Sequence, residues 1–202
     1  MKLYYAPGAC SLASHIALQE SGLPFEIDKL SFSTKKTASG DDFMQINPKG
    51  YVPTLKLNDG SILTEGPAIL QYVADQNPES GLAPKAGTME RYRLQEWLTF
   101  IGTELHKSYS PLFNPASSDE IKSNARNMLT KRIGYVETQL ANKSYLVGDR
   151  FTVADAYLFV VLGWSGHVGV DLSSYPNIQQ YLGNIAARPA VQAALKAEGL
   201  IK

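Results

Sequence analysis

The spacing of hydrophobic positions changes about a third of the way along the chain. Short β-branched and aromatic runs between turn residues predict strands at residues 3–5, 25–30, 52–57 and 62–64. Apolar positions at helical spacing predict a first helix that ends at Gly22 and another that opens at Pro67. This order predicts a small α/β domain, which can bury only part of its surface and therefore needs a neighbour.

Beyond residue 77 the hairpin signals stop, and residues 78–88 are rich in proline and glycine, which predicts a linker. The patterns that follow predict a long helix over residues 89–109 broken by Pro111 and Pro115, a helix opened by a capping box at residues 117–120, an apolar helix opened by Thr152 with Asp155, and two helices at residues 176–187 and 189–198. We therefore predict an α/β domain over residues 1–77 and an all-helical domain over residues 89–202.

The composition restricts the partners and the compartment. Lys plus Arg and Asp plus Glu both number 19 in 202 residues, and this balance argues against nucleic acid or a membrane surface as a partner. A single cysteine excludes a disulfide framework and a multi-cysteine zinc site. No leader segment or apolar run of spanning length is visible. We expect a cytoplasmic protein with no metal and no permanently bound cofactor.

The one cysteine, Cys10, lies between the predicted turn at Pro7-Gly8 and the first helix. Backbone N–H groups and the positive end of the helix dipole favour an anion there, and this is where a thiol loses its proton most readily. A buried structural thiol is the alternative, because free cysteines are often buried. Both interpretations stay open on the residues alone.

A second group of polar side chains follows the long predicted helix. Thr99, Thr103, His106 and Lys107 are spaced to fall on one helical face. His106 is suited to donate a hydrogen bond to a thiolate or to act as a base, whereas the alternative is an ordinary surface histidine. Asp155 is expected to cap its helix, and His15 is expected to be structural.

Four motifs along the chain resemble those of the cytosolic glutathione transferases. They are Tyr5-Ala6-Pro7-Gly8-Ala9-Cys10-Ser11, Asn47-Pro48-Lys49-Gly50-Tyr51-Val52-Pro53, Leu63-Thr64-Glu65-Gly66-Pro67-Ala68-Ile69 and Phe151-Thr152-Val153-Ala154-Asp155. Cys10, where other classes carry Tyr or Ser, and Glu104-Leu105-His106-Lys107 resemble the bacterial beta class. The resemblance covers the whole chain. It implies a thioredoxin-like N-terminal domain, an all-helical C-terminal domain, glutathione as co-substrate and a homodimer.

The resemblance also implies roles for residues of the first domain. Val52-Pro53 is similar to the family's cis-proline turn, which holds the cysteinyl part of glutathione. The Gly66 N–H is expected to meet the γ-glutamyl carboxylate, and Glu65 the ammonium of the same group. Lys35 resembles the residue that meets the glycyl carboxylate. The alternatives are a simple acidic cap for Glu65 and a solvated loop charge for Lys35.

The complete set of expected site residues follows from this resemblance. The expected catalytic residues are Cys10, Ser11 and His106. The expected glutathione-binding residues are Cys10, Lys35, Val52, Pro53, Glu65, Gly66, Thr99, Thr103, Glu104, His106 and Lys107. Thr99 stands where the beta class often has Asn, and the electrophile pocket is expected near Ala9, Phe113 and Trp164.

Three functions remain open at this stage. The first is conjugation of the glutathione thiolate to small hydrophobic electrophiles. The second is glutathione-dependent disulfide exchange through Cys10, by a monothiol route because no second cysteine follows at Cys-x-x-Cys spacing. The third is a non-catalytic protein of the same fold that binds apolar ligands.

Overall fold

The computed structural model describes residues 1–202, which divide into two compact units: Met1–Ala83 with Ala187–Lys202, and Pro84–Ala186. The α-helices are α1 (Ser11–Ser21), α2 (Phe43–Ile46), α3 (Gly66–Gln76), α4 (Met89–Phe100), α5 (Lys107–Phe113), α6 (Asp119–Gln139), α7 (Val153–Gly163), α8 (Pro176–Ala186) and α9 (Pro189–Ala197). None of the helices combines the length and the apolar character needed to cross a membrane.

The first unit is built on a four-stranded mixed sheet. Its strands are β1 (Lys2–Tyr5), β2 (Glu26–Lys29), β3 (Thr54–Lys56) and β4 (Ile62–Thr64), in the order β2-β1-β3-β4. The central strand β1 runs parallel to β2 and antiparallel to β3, which pairs antiparallel with β4. This α/β arrangement confirms the predicted thioredoxin-like fold class. The four strands overlap the predicted segments, but β3 begins at Thr54 rather than Val52, because the cis Val52–Pro53 segment precedes it.

Helix α1 is surrounded by protein, since residues 11–18 are all buried. It packs against α3 and also against α9, which belongs to the first unit. The sequence assigned residues 189–198 to the helical domain, and the structure differs. The physical reason is that a helix buried on all sides needs cover beyond one sheet and one helix. Val191 and Ala194 of α9 are fully buried in that role.

The second unit is entirely helical, as predicted, with Leu98, Leu129 and Ile133 fully buried in its core. Helix α4 continues into a π-helical turn, Ile101–His106, and then into α5. Pro111 was predicted to break the helix, and that prediction is wrong, because α5 runs through it to Phe113. Tyr109, fully buried and bonded to Ser165 at 2.6 Å, anchors this segment, so packing outweighs the missing proline N–H.

Of the two helix N-caps predicted in the second unit, one is observed as predicted and the other is shifted by one residue. At α7, Thr152 and Asp155 form the predicted reciprocal capping box. At α6, Ser118 rather than Ser117 is the N-cap, and its hydroxyl accepts from the N–H of Ile121. The shift by one residue moves Glu120 out of the position from which a capping box is closed, so the predicted box does not form there.

Candidate functional site

The turn between β1 and α1 places Cys10 immediately before the helix. Gly8 adopts a left-handed φ of 69°, as the tight turn requires. The half-buried Cys10 thiol donates a hydrogen bond of 3.3 Å to the carbonyl of Val52. The N–H groups of Leu12 and Ala13 already bond the carbonyls of Ala9 and Cys10. What α1 offers an anion is therefore chiefly the positive end of its dipole.

Ser11 follows Cys10 but is fully buried. Its hydroxyl accepts from the Ala6 N–H at 3.2 Å and donates to the Ala6 carbonyl at 3.3 Å. Sequence reasoning made Ser11 a polar neighbour of the reacting sulfur. The structure instead pairs the hydroxyl within the turn, so Ser11 fixes the backbone that carries Cys10.

The Val52–Pro53 peptide bond is cis, as predicted. The buried side chain of Asn47 holds this segment by donating to the Tyr51 carbonyl at 3.0 Å and to the Thr54 hydroxyl at 2.9 Å. Gly66 lies beside it, since a Cβ at Gly66 would be 3.8 Å from the Pro53 ring. The first unit thus brings Cys10, the cis-proline segment and the start of α3 together.

Glu65 precedes α3 with a φ of 71°, which is unusual for a residue with a side chain. Its side chain makes no cap hydrogen bond, so the alternative of a simple acidic cap does not hold. Its carboxylate projects outward, where Lys49 and Tyr51 donate to one oxygen at 2.6 Å and 2.9 Å. The positive φ marks a conformation that the surroundings must impose, as is frequent at ligand clamps.

Lys35 also has a positive φ, of 56°, and it is half-buried. Its ammonium donates to the Gly50 carbonyl at 3.1 Å and lies 5.5 Å from the centre of the Phe32 ring. These contacts hold the Lys35 ammonium at Gly50, two residues before Val52. They do not fit the alternative of a loop charge surrounded by water.

A buried carboxylate from the C-terminal segment supports the Cys10 turn. Glu198 accepts from the Gly8 N–H at 3.0 Å with one oxygen, and its other oxygen lies 2.9 Å from Nδ1 of His15. The side chains of His15 and Glu198 are 1% and 0% exposed. His15 is therefore part of the scaffold beneath the turn, in line with the structural role expected for it.

In the second unit, His106 closes the π-helical turn. Its Nδ1 lies 2.7 Å from the Tyr157 hydroxyl, and its ring centre lies 4.8 Å from that of Trp164. Burial, together with the positive charge of Lys107, lowers the pKa of His106 from 6.5 to about 4. The imidazole is therefore neutral at pH 7, where it can donate one hydrogen bond and accept one.

The structure places the other predicted residues of this helix in different surroundings. Thr99 and Thr103 are exposed, and their hydroxyls bond carbonyls one turn back. Glu104 pairs with Arg132 at 2.6 Å, while Lys107 is exposed. The common face was predicted for a regular α-helix. The π-helical turn contains one more residue per turn, so it rotates His106 and Lys107 relative to Thr99.

Comparison with known proteins assigns the chain to a family. The model described as "Glutathione S-transferase, N-terminal domain" matches residues 1–75, and "Glutathione S-transferase, C-terminal domain" matches residues 100–189. Glutathione S-transferase GstA of Escherichia coli O157:H7 is 48% identical over 200 residues, which cover 99% of this chain and 100% of that protein. The chain belongs to the glutathione S-transferase family. The predicted family is confirmed.

Solved structures refine this assignment within the transferases. A sphingomonad glutathione S-transferase complexed with glutathione has a TM-score of 0.96 and 52% identity, covering 100% of both chains. The bacterial beta-class glutathione S-transferase of Sphingomonas chungbukensis has a TM-score of 0.96 and 54% identity, again covering 100% of both. These similarities confirm the expected beta class for this transferase.

Aromatic rings gather around Trp164 in the helical unit of the transferase. The ring centres of His106, Tyr109 and Phe113 lie 4.8 Å, 5.8 Å and 5.8 Å from that of Trp164. Phe113 is half exposed, so the cluster presents apolar surface beside an imidazole. Such a surface is suited to hold a hydrophobic electrophile.

Sequence reasoning missed several side chains that contact the predicted residues of the transferase. Glu198 is 190 positions from Gly8, and no local pattern connects them. Tyr157 is one of many residues in an apolar helix, and nothing near it in the sequence indicates that it contacts His106. Lys49 and Tyr51 lie in one of the motifs that carry the family resemblance, but neither was given a role, so their convergence on Glu65 was not anticipated.

Proposed function

We propose that this transferase conjugates the thiolate of glutathione to small hydrophobic electrophiles. The observation that carries the proposal is the convergence in the first unit. A helix N-terminus with Cys10, the cis Val52–Pro53 segment and the Glu65 carboxylate lie on adjoining elements. The glutathione-bound structure of a relative 52% identical over the whole chain supports the same ligand.

Each part of glutathione has a matching group in the first unit. Its ammonium pairs with the Glu65 carboxylate, and its γ-glutamyl carboxylate meets the Gly66 N–H at the start of α3. The backbone of Val52, before Pro53, bonds the cysteinyl peptide in the manner of an added strand. Lys35 meets the glycyl carboxylate. Opposite charges at both ends of the ligand thus fix its direction.

Catalysis comes from holding the ligand's sulfur as a thiolate. The dipole of α1 favours the anion, and each unit by which the thiol pKa falls corresponds to about 1.36 kcal/mol. His106, neutral at pH 7, contributes as a hydrogen-bond donor or as the base that takes the thiol proton. Thr99, Thr103, Glu104 and Lys107 complete the proposed glutathione set, and Ser11 acts by positioning the turn.

A second activity is supported by the Cys10 thiol itself. Its sulfur is half-buried and donates a weak hydrogen bond of 3.3 Å to the carbonyl of Val52. As a thiolate, Cys10 attacks the glutathione sulfur of a mixed disulfide between glutathione and a small thiol, forms its own mixed disulfide with glutathione and releases the small thiol as a thiolate. A glutathione thiolate then attacks the glutathione sulfur on Cys10, which releases the Cys10 thiolate and yields oxidised glutathione. A reducing cytoplasm, the compartment we propose, keeps such a thiol available.

We also propose a homodimer. Trp97, Phe100 and Tyr135 form an aromatic cluster with ring centres 5.3–6.0 Å apart, on a groove of about 420 Å³ between α4 and α6. Tyr135 is 48% exposed in the single chain. Aromatic side chains are enriched at subunit interfaces, so a second copy is the expected cover. Light scattering at micromolar concentration should give twice the mass of the chain; a monomer would contradict the proposal.

The proposed activity is tested by calorimetry with reduced glutathione and by turnover with a panel of aryl halides and unsaturated carbonyl compounds. Saturable glutathione binding together with turnover of at least one electrophile is the expected result. Binding of apolar ligands without any turnover would favour the non-catalytic alternative instead. Turnover of disulfides alone would favour the exchange activity of Cys10.

A further inference from the structure

The carboxylate of Glu65 is occupied by the protein's own cation. The ammonium of Lys49 lies 2.6 Å from Oε1 of Glu65 and 2.9 Å from the hydroxyl oxygen of Thr64. The hydroxyl of Tyr51 donates to the same Oε1 at 2.9 Å. The pair raises the pKa of Lys49, chiefly through its hydrogen bond to Glu65, so the ammonium stays charged.

The attachment of Lys49 to the chain allows its tip to move while its backbone stays fixed. The Lys49 N–H bonds the side chain of Asn47, whose amide is held by the Thr54 hydroxyl in the buried turn. The Lys49 side chain is 46% exposed and that of Glu65 is 56% exposed. Between the fixed backbone and the bound tip lies a flexible four-carbon stem, and such stems rotate readily into water.

We propose that Lys49 is an internal competitor for the ammonium of glutathione and thereby sets which ligands the site accepts. The inference rests on the proposed role of Glu65 as the acceptor of that ammonium. A ligand that brings its own ammonium replaces Lys49 on the carboxylate. A ligand that lacks one binds with Lys49 still in place, so Glu65 is never left facing it as an unpaired charge.

Competition by Lys49 predicts opposite effects on two ligands that differ by one group. The ligands are glutathione and its desamino analogue, in which hydrogen replaces the γ-glutamyl amine. Removing the competitor in Lys49→Met should tighten glutathione binding, because no ion pair has to be exchanged. The same change should weaken binding of the analogue, because Glu65 then loses the ammonium of Lys49. Exposed ion pairs are weak, so we expect the ratio of glutathione affinity to analogue affinity to rise roughly twofold to tenfold in Lys49→Met.

The experiment measures both dissociation constants by calorimetry for the wild type, for Lys49→Met and for three control variants. Lys49→Arg keeps a cation within reach of Glu65 and should retain a ratio close to that of the wild type. Lys56→Met removes an exposed lysine of β3 with the same change in net charge, and it should leave the ratio unchanged. Tyr51→Phe removes the neutral donor to the same oxygen and should not reproduce the opposite shifts.

Two results would overturn the proposal. Equal weakening of both ligands by Lys49→Met would make Lys49 an attractive charge for the ligand carboxylates. An unchanged ratio, indistinguishable from that of Lys56→Met, would show that Lys49 has no influence on which ligand the site prefers. Failure of the underlying function is distinguishable, because wild-type protein would then bind neither ligand, or Glu65→Gln would bind glutathione as tightly as the wild type. The role of Glu65 would fall together with that of Lys49 in that case.

Discussion

The two histidines of the proposed machinery occupy opposite environments. His15, in the first unit, is fully buried and faces the Glu198 carboxylate at 2.9 Å. His106, in the second unit, is partly exposed and faces the neutral hydroxyl of Tyr157 at 2.7 Å. A carboxylate partner fixes an imidazole in place inside the protein. Each imidazole uses one ring nitrogen for its partner, but the other nitrogen of His15 is buried without a partner, whereas His106 is partly exposed, so its other nitrogen can meet another group.

The difference separates support from chemistry. Glu198 uses its second oxygen on the Gly8 N–H, so the His15 network ends on the backbone that carries Cys10. The His106 network ends on an imidazole whose pKa burial has lowered to about 4, beside a cluster of aromatic rings. We expect changes in the first network to appear as lost stability, and changes in the second to appear as altered turnover and pH dependence.

The largest effect is expected from Glu198→Ala. The substitution removes the acceptor of the buried His15 Nδ1 and an acceptor of the half-buried Gly8 N–H. A buried polar group that loses its partner costs about 1–3 kcal/mol, and the half-buried N–H adds a smaller share, so the free energy of unfolding should fall by about 2–4 kcal/mol. Unfolding in urea, followed by circular dichroism, measures the change.

A matched control for Glu198 is Glu20→Ala. Glu20 also connects the first unit's α1 to the segment of α9, through Arg188 at 2.6 Å and 2.9 Å, but that pair is partly exposed. Its loss should cost only about 1 kcal/mol. Equal losses for the two variants would show that any contact between α1 and α9 suffices, and that the buried network has no special role.

The second prediction tests whether the Cys10 turn only supports the site or whether its thiol also reacts. Cys10→Ala should lower glutathione-dependent disulfide reduction roughly a hundredfold or more, because that reaction needs the protein sulfur as nucleophile. Conjugation to an aryl halide should stay within about tenfold of the wild type, because the helix dipole and the proposed contact of His106 remain to stabilise the thiolate.

The Cys10 prediction has an independent readout by mass spectrometry. Wild-type protein incubated with oxidised glutathione should gain one glutathionyl adduct, and Cys10→Ala should gain none. If the folded variant lost both activities equally, the thiolate-holding role of His106 would be wrong. If the wild type formed no adduct, the exchange activity would be excluded.

Sequence reasoning succeeded where the signal is local. Pro67 in the first turn of α3 and Gly22 after α1 are single-residue signals, and the structure places both as predicted. In both cases the backbone conformation is set by the residue itself or its neighbours, so the pattern contains the necessary information. The cis Val52–Pro53 bond was instead implied by the family resemblance of one motif.

The features that were missed depend on contacts between distant residues. The π-helical turn before His106 and the helix through Pro111 arise from packing that overrides the local preference for an α-helix or a break. The partner of His15 is 183 positions away. Sequence reasoning placed Ser11 correctly, directly after Cys10 at the start of α1. The direction of its hydroxyl depends on Ala6, which no periodicity reveals.

The third prediction concerns the pH dependence that His106 gives to stability. In the unfolded chain a histidine binds a proton near pH 6.5, whereas His106 in the folded protein does so only near pH 4. Between these values the unfolded state holds more protons, so acid destabilises the folded protein. The free energy of unfolding should fall by about 2–3 kcal/mol more in the wild type than in His106→Asn between pH 7 and 4.

Tyr157→Phe tests the cause of that pH dependence. Burial is the first cause of the lowered pKa of His106, and the phenyl ring preserves it. The acid sensitivity should therefore persist in this variant, while turnover changes because the imidazole loses its orientation. A pH profile of stability identical to that of His106→Asn would show that the hydrogen bond, not burial, sets the pKa.

The smallest effect is expected from Glu65→Gln, which separates recognition from the chemistry of His106. The substitution keeps the size of the side chain but removes the charge that faces the ligand's ammonium, and a charged hydrogen bond contributes about 1.5–3 kcal/mol. Part of that is offset because the wild-type carboxylate must first exchange Lys49. We therefore expect glutathione affinity to fall about tenfold by calorimetry, with turnover at saturating glutathione unchanged. His106→Asn should do the reverse and lower turnover at nearly constant affinity. Unchanged affinity in Glu65→Gln would remove Glu65 from the site, and a matching fall in saturated turnover would mean that binding and chemistry are not divided between the two regions.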